Sequence, residues 1–402
     1  MKVGSMLTSA ALLCATQPSL ADDNIVTHRN LDETKKEVIY RAEKSLYPLL
    51  AMNTDDVKLA LANIHSLNRD EWATAFMQEG DKYYQKAQQE QDKPQASKDY
   101  SAAQKLYYFA RWPAPLNSAQ RAAAYEKERN AAIQASEARG YHIQQINGEY
   151  QGKPVPALLS LPKNAQKAPL LLIVGGLDGW KEIRFSQFSS LIDQGVAILV
   201  ADMPGTGQSP AKLEKGAETS LISVLDKALE NPQIDKSRVA MYGGSFGGYW
   251  ANVLAANYPA RFNAVISHSG PFDATFEKAQ FSSVMAGDEY LYDAYPAMFE
   301  LLRDVENEQQ FFTKFQAQSL KHQGYLAKPT TEMLVMGGQQ DSMIPTQDLL
   351  DVLTMPGGIK EAWINPNGIH MGRDVKNGLL DADINKQIVF PYILRKLNVT
   401  AK

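Results

Sequence analysis

The chain has 402 residues, of which 44% are hydrophobic and 21% are charged, and its formal net charge is −4. This length and hydrophobic content are typical of a globular protein with a sizeable core, built as two domains or as one large domain with additions. The basic residues are scattered along the chain, which argues against a nucleic-acid groove and against a polybasic membrane patch.

Residues 1–21 have the pattern of a secretory signal peptide. Lys2 supplies a positive charge, Met6 to Ala15 form an apolar run too short for a permanent membrane span, and Ser19-Leu20-Ala21 has the small residues of a cleavage site. We therefore predict export, to the periplasm or out of the cell. Cleavage near Ala21 removes Cys14, the only cysteine, which excludes disulfides, thiol catalysis and cysteine-bound metals in the mature chain.

From about residue 30 to 138 the sequence has the spacing of amphipathic helices. Apolar residues recur three and four apart, for example in Trp72-Phe76-Tyr83-Tyr84 and in Tyr100-Ala103-Leu106-Phe109-Ala110. Residues 89–100, which include Pro94, are interpreted as a loop, and Asn117-Ser118 is predicted to cap the last helix. Because no strand pattern occurs here, we predict an all-helical N-terminal cap domain over residues 22–140.

After Gly140, strand-like segments alternate with segments of helix length. A hairpin pattern divided by Gly152 and Pro154 comes first. The apolar runs that follow are "PLLLIV", "GVAILVAD", "RVAMYGG", "NAVISH", "EMLVMGG" and "EAWIN". This alternation predicts an α/β catalytic domain over residues 141–402, with a mainly parallel sheet and helices on both faces. Residues 271–328 are longer than a simple crossover and are predicted to form inserted helices.

One short segment, Gly243-Gly244-Ser245-Phe246-Gly247, matches the G-x-S-x-G pattern of a nucleophile elbow. It lies between a predicted strand and a predicted helix, as that turn requires. Glycines flanking a serine on so tight a turn avoid collisions with the strand and the helix. The alternative interpretation is a glycine-rich turn that only packs the helix closely on its strand.

A nucleophilic serine needs a histidine as base, and the histidine needs a carboxylate to orient it. In this arrangement the chain order is serine, acid, histidine, with the last two on loops that follow strands. Asp341 and His370 meet both conditions, so we predict Ser245, Asp341 and His370 as a catalytic triad. The alternatives are that Asp341 is an ordinary turn residue and His370 an exposed loop histidine. His268 is the rival base, but it precedes the candidate acids of the last strands.

An acyl-transfer enzyme also needs backbone N–H donors for its oxyanion. We predict the N–H of Phe246 and the N–H of Leu177, which follows the strand "PLLLIV", with Gly176 as the fallback for the second donor. No metal-ligand cluster, phosphate loop or dinucleotide motif occurs in the sequence. We therefore predict a reaction that uses neither a cofactor nor a metal.

Asp178 directly follows the predicted oxyanion loop and has two interpretations. A carboxylate at this position would repel a developing oxyanion unless it faces a substrate group or a cation. It therefore either binds the substrate or forms an ion pair with Lys181 or Arg184. The sequence does not choose between these two interpretations.

With these residues identified, the chain resembles the α/β-hydrolase superfamily and, more narrowly, the FrsA-like family that includes the dihydroxypseudooxynicotine hydrolases. The segments that carry the resemblance are "GGLDGWKE", "DMPGTGQS", "GGSFGGYWA" and "YYFARWP". The resemblance covers nearly the whole mature chain, because a helical domain ahead of the hydrolase core is itself a family trait. It implies an α/β-hydrolase fold in which the helical domain covers the active site and supports dimers.

The resemblance also implies the triad Ser245, Asp341 and His370, and a role for Asp178 in positioning a substrate. Members of the family cleave carboxylic esters or the carbon–carbon bonds of β-diketone-like substrates. The signal peptide departs from the intracellular relatives, which puts an intracellular catabolic role in doubt.

We therefore expect a serine hydrolase that cleaves a carboxylic ester through an acyl-enzyme. The alternatives are a carbon–carbon bond hydrolase of a β-diketone-like substrate, a prolyl-oligopeptidase-like peptidase and a non-catalytic binding protein on a hydrolase scaffold. The expected partner is a small ester or ketone, with no nucleic acid and no membrane span. The sequence leaves the oligomeric state open, and a homodimer is what the resemblance implies.

Overall fold

A computed structural model describes residues 23–400. The predicted signal peptide, residues 1–21, lies outside the described residues. Within the part that the structure describes, no helix is long and apolar enough to cross a bilayer.

The chain begins with a helical region, as the sequence predicts. Its helices are α1 (Leu31–Glu43), α2 (Thr54–Ala62), α3 (Arg69–Gln89), α4 (Lys93–Arg111) and α5 (Ala119–Ala138). In each case the preceding residue accepts a hydrogen bond from a backbone N–H of the first turn through its side chain, and these caps are Asn30, Asn53, Asn68, Asp92 and Ser118. The prediction of a capped last helix is confirmed.

The loop predicted over residues 89–100 is wrong for most of its length. Helix α3 continues to Gln89 and α4 begins at Lys93, so the connection is only three residues long. Pro94 lies in the first turn of α4, where its missing N–H would have no intrahelical acceptor in any case. Proline therefore starts a helix here rather than interrupting one.

The remainder of the chain forms one eight-stranded sheet. Its strands are β1 (Gln144–Tyr150), β2 (Lys153–Ser160), β3 (Ala168–Val174), β4 (Ala197–Ala201), β5 (Ile234–Gly244), β6 (Ala264–His268), β7 (Met333–Gly338) and β8 (Lys360–Asn365). The spatial order is β1-β2-β4-β3-β5-β6-β7-β8, and only the pairings made by β1 and β2 are antiparallel. The predicted hairpin and the predicted mainly parallel sheet are both confirmed.

Helices cover both faces of this sheet. They are α6 (Lys181–Phe188), α7 (Ser190–Asp193), α8 (Glu218–Leu229), α9 (Phe246–Asn257), α10 (Lys278–Ala286), α11 (Ala294–Glu300), α12 (Glu308–Gln316), α13 (Thr346–Thr354), α14 (Asp381–Ile384) and α15 (Phe390–Lys396). Successive side chains of β3 lie on opposite faces of the sheet. Leu170 and Leu172 pack with α8 and α9 on one face, whereas Leu171 and Ile173 pack with α6 and α15 on the other. Every residue of β3 is buried, which explains its uninterrupted apolar run.

Helices α10, α11 and α12 lie between β6 and β7, and the connection between α10 and α11 contacts the helical domain. The carboxylate of Asp293 is fully buried and pairs with Arg69 and Arg121 of that domain at 2.8 Å each. Tyr292 packs edge-on against Trp112, with ring centroids 5.0 Å apart. A buried ion cluster and an aromatic cluster therefore join the two regions.

Candidate active site

Ser245 occupies a sharp turn between β5 and α9. Its backbone angles are φ 55° and ψ −128°, a conformation that residues other than glycine rarely adopt. The turn also brings the start of α9 against β3, since a Cβ atom on Gly247 would lie 2.3 Å from the carbonyl oxygen of Val174. Only glycine fits at position 247, and this close approach holds the serine on its strained turn.

The three predicted triad residues meet at the carboxyl ends of the parallel strands. The hydroxyl of Ser245 lies 3.0 Å from Nε2 of His370, and Nδ1 of His370 lies 2.9 Å from Oδ2 of Asp341. The other oxygen of Asp341 accepts the N–H groups of Met343 and Ile344, each at 3.0 Å. Asp341 is therefore a turn residue and a histidine partner at once, and His370 is buried rather than exposed.

His268, the rival base, has a different place in the structure. Its buried ring lies 3.0 Å from the hydroxyl of Tyr242 and 2.8 Å from the carbonyl oxygen of Met371. Burial lowers the pKa of His268 to about 4, so the ring is neutral near pH 7 and donates its Nε2–H to Met371. Its own carbonyl oxygen accepts the N–H of Ser245 at 2.8 Å. His268 thus supports the backbone of Ser245 and the loop that carries His370.

The predicted oxyanion loop lies directly beside Ser245. A Cβ atom on Gly176 would lie 2.8 Å from the Cβ atom of Ser245. The loop is fixed by Trp180, whose indole N–H donates to the carbonyl oxygen of Leu177 at 2.8 Å. Phe246 is the first residue of α9, so its N–H has no acceptor within the helix.

Asp178 is held by three neutral donors from the helical domain. Tyr47, Tyr108 and Trp112 donate to its Oδ2 oxygen at 2.8, 2.7 and 2.6 Å. Burial, together with the Asp178 carboxylate, raises the pKa of both tyrosines well above the ordinary value, so they remain protonated donors. These partners could not be predicted from the sequence, because they lie 66 to 131 positions away in the chain.

The proposed ion pair of Asp178 with Lys181 or Arg184 does not form. The ammonium of Lys181 lies 2.8 Å from carboxylate oxygens of both Glu182 and Asp202. Arg184 donates to the side chain of Gln187 at 2.9 Å. Both cations therefore have other partners, and this interpretation of Asp178 is wrong.

A cavity of about 1060 Å³ opens between the helical domain and the sheet, and Ser245, His370 and Asp178 line it together. Its opposite wall comes from the α1–α2 connection and from α4. A cavity of this volume accommodates a drug-sized organic molecule. Within residues 23–400, no cluster of histidine, aspartate and glutamate side chains is arranged to hold a metal ion.

This sheet, with a serine on the turn after its central strand and a histidine and an aspartate on later loops, defines the α/β-hydrolase class. Comparison with solved structures supports the class at the level of the fold. The 2,6-dihydroxy-pseudo-oxynicotine hydrolase superimposes with a TM-score of 0.70, covering 89% of this chain and 95% of that chain at 17% identity.

The sequence comparisons identify the family. The model of the family described as "Esterase FrsA-like" matches residues 55–377, and the chain belongs to this family. Esterase FrsA of Salmonella paratyphi B is 29% identical over 311 residues, covering 74% of this chain and 71% of the relative. Esterase FrsA of Vibrio cholerae serotype O1 is 25% identical over 299 residues, covering 71% of each chain. The protein is thus a hydrolase of the FrsA-like family, and the resemblance predicted from its sequence is confirmed.

Proposed function

We propose that this hydrolase is a serine esterase that cleaves a carboxylic ester through an acyl-enzyme. The hydroxyl of Ser245 attacks the ester carbonyl while His370 takes its proton, and His370 then protonates the departing alkoxide. Water attacks the resulting acyl-enzyme with His370 again as base, which releases the acid and restores Ser245. Asp341 orients the imidazole and stabilises its charged form.

One observation carries this proposal: Ser245, His370 and Asp341 form a hydrogen-bonded series, at 3.0 and 2.9 Å, next to a cavity large enough for a substrate. Ser245 and His370 line that cavity. Such a series activates a serine that would otherwise be a weak nucleophile. For the oxyanion we propose the N–H groups of Phe246 and Leu177, supported by the start of α9 and by the loop that packs on Ser245.

A second candidate is carbon–carbon bond hydrolysis of a β-diketone-like substrate, and the position of Asp178 favours it. The three donors to the Asp178 carboxylate all bind Oδ2, and within residues 23–400 no hydrogen bond reaches Oδ1, which is left for a substrate group in the cavity. The enol hydroxyl of a β-diketone is such a group. A hydroxyl on an ester substrate would bind there equally well.

The esterase proposal is tested by labelling with a fluorophosphonate probe and by hydrolysis of short para-nitrophenyl esters. We expect labelling and hydrolysis by the wild type, and loss of both in Ser245→Ala and His370→Ala. Ser282→Ala, which alters an exposed serine on α10, is the control and should label like the wild type. A folded wild-type protein that neither labels nor cleaves any ester would contradict the proposal and favour the binding-protein alternative.

We also propose that the protein is exported, on the basis of the charge, apolar run and small residues in residues 1–21. Expression of the full chain in a Gram-negative host, followed by N-terminal sequencing of the periplasmic fraction, tests this proposal. A mature terminus at Asp22 supports it. An intact Met1 on protein retained in the cytoplasm would overturn it.

A further inference from the structure

The side chain of Arg373 is largely buried next to His370, and its guanidinium is incompletely hydrogen-bonded. Only 7% of its side chain is exposed, and its Nε donates to the carbonyl oxygen of His370 at 2.9 Å. Among residues 23–400, its two terminal nitrogens have no hydrogen-bond partner. An arginine has five N–H donors, so those on the two terminal nitrogens are left without a protein acceptor, and these nitrogens are accessible from the cavity that Arg373 lines.

The nearest carboxylate does not supply those partners. Asp381 lies 3.7 Å from Nε of Arg373, which is beyond hydrogen-bond distance, and its Oδ1 oxygen is itself buried without a partner. Asp381 balances part of the charge but leaves the terminal nitrogens unpaired. The guanidinium also lies over the ring of Tyr47, at 5.5 Å from its centroid, which restricts its orientation.

A second arginine in the same cavity shows the same deficit. Arg184 packs against the predicted oxyanion loop, since a Cβ atom on Gly179 would lie 3.0 Å from its Nη2. It binds Gln187 through Nη1, and its Nε is buried without a partner. Both arginines line the cavity that contains Ser245.

The charges of the whole cavity favour an anion. Its lining includes five cationic side chains, Lys98, Lys105, Arg139, Arg184 and Arg373, against three anionic side chains, Asp56, Asp178 and Asp381. The lining is therefore net positive although the chain as a whole is net negative. Of the three carboxylates, Asp178 is already bound by three donors and Asp381 lies next to Arg373.

We propose that Arg373, together with Arg184, forms a subsite for a carboxylate on the substrate, so that the enzyme prefers carboxylate-bearing esters over neutral esters of equal length. The two free terminal nitrogens of Arg373 match the two oxygens of a carboxylate. The bond from Arg373 to the His370 carbonyl sets this subsite close to the scissile ester. The inference rests on the proposed esterase function and adds a substrate class to it.

The test compares kcat/KM for mono-para-nitrophenyl glutarate and para-nitrophenyl valerate, which have the same number of acyl carbons and differ in the terminal carboxylate. The wild type should prefer the glutarate ester. Arg373→Met should lower kcat/KM for the glutarate ester on the order of 10- to 100-fold relative to the valerate ester, mainly through KM. Equal losses for both esters would show that Arg373 only holds the His370 loop, and would overturn the subsite.

Two further variants separate recognition from folding. Arg184→Met leaves the bond to the His370 carbonyl intact, and it should also reduce the preference for the glutarate ester. Arg395→Met removes an exposed arginine of α15 and should leave both rates and the preference unchanged. A wild type that shows no preference between the two esters, or an Arg184→Met variant that keeps the full wild-type preference, would contradict the proposal.

Failure of the esterase function is distinguishable from failure of the subsite. If the wild type cleaves neither ester, calorimetric titration with glutarate itself still measures the subsite. Binding that is weakened tenfold or more in Arg373→Met would support the subsite without the esterase reaction. Hydrolysis of both esters at equal rates, with no measurable glutarate binding, would leave the esterase function standing and overturn the subsite.

Discussion

The hydrolase core and the helical domain contribute to the cavity in different ways. The core holds its reacting groups through backbone geometry: a strained serine turn, a glycine against β3 and loops at strand ends. The helical domain contributes side chains, of which Tyr47, Tyr108 and Trp112 reach across to one carboxylate. We infer that the core determines which reaction occurs and that the contact between the two regions determines which substrate is accepted.

The largest expected effect lies in the core. Asp341→Asn keeps the size of the side chain but removes the carboxylate that orients His370, so kcat for ester hydrolysis should fall on the order of 10⁴-fold. Steady-state kinetics and circular dichroism check this outcome. A folded variant with wild-type kcat would mean that Asp341 only stabilises the turn that contains Met343 and Ile344. Asp193→Asn, at an exposed contact with Tyr141, is the control.

The next largest effect concerns the contact between the regions. Asp293→Asn should lower the free energy of unfolding by about 3–5 kcal/mol, because it leaves Arg69 and Arg121 buried with their common carboxylate gone. Asp288→Asn, at a site that is 77% exposed, should cost less than about 1 kcal/mol. Chemical denaturation followed by tryptophan fluorescence measures both. Equal effects of the two variants would mean that the Asp293 ion cluster does not stabilise the folded protein more than an exposed ion pair does.

The lowered pKa of Asp293 also determines how the free energy of unfolding should change with pH. Burial acts to raise the pKa of Asp293, but Arg121 and Arg69 outweigh it, so the pKa is lowered. An acid with a lowered pKa in the folded state stabilises the protein above its unfolded pKa, and this contribution is lost as the pH falls through the folded pKa. Acid should therefore weaken the wild type more steeply than Asp293→Asn.

A smaller effect is expected from His268, with its pKa of about 4 in the folded state. Between pH 4 and the ordinary value near 6.5, the unfolded chain binds a proton at this residue and the folded protein does not. Stability should therefore fall as the pH is lowered through this window, by on the order of 3 kcal/mol from this residue. His268→Gln, which keeps a donor for Met371, should show a shallower dependence of unfolding free energy on pH. Identical slopes would contradict a neutral buried ring.

The smallest effect is expected at Asp178, and it tests whether this residue recognises the substrate. Asp178→Asn should lower kcat/KM about tenfold for a β-diketone, whose enol hydroxyl would lose a charged acceptor, and less than threefold for a simple alkyl ester. The same purified variant is assayed with both substrates. Equal losses would place Asp178 in the support of the oxyanion loop instead of in substrate recognition.

The core and the helical domain also differ in how much of their contribution to the cavity could be predicted from the sequence. Ser245, Asp341 and His370 were predictable because a nucleophile elbow imposes glycines and because parallel strands bring their carboxyl ends to one edge of the sheet. The start of α4 was missed because Pro94 signals either a loop or a first helical turn, and only the neighbouring cap decides between them.

The substrate side of the cavity could not be predicted, because its contacts join residues far apart in the chain through helix packing. Asp178 illustrates this point: its nearby cations suggested an ion pair, yet its partners are two tyrosines and a tryptophan from the helical domain. Arg373 follows His370 by only three positions, but its unpaired nitrogens are evident only once Asp381 and Tyr47 are in place.

Formation of an acyl-enzyme on Ser245 is tested by rapid mixing of the protein with a para-nitrophenyl ester. We expect a burst of para-nitrophenol equivalent to the enzyme concentration, with acyl mass on the peptide that contains Ser245, and neither signal in Ser245→Ala. A burst of the same size in Ser245→Ala, or acyl mass on another residue, would contradict Ser245 as the nucleophile.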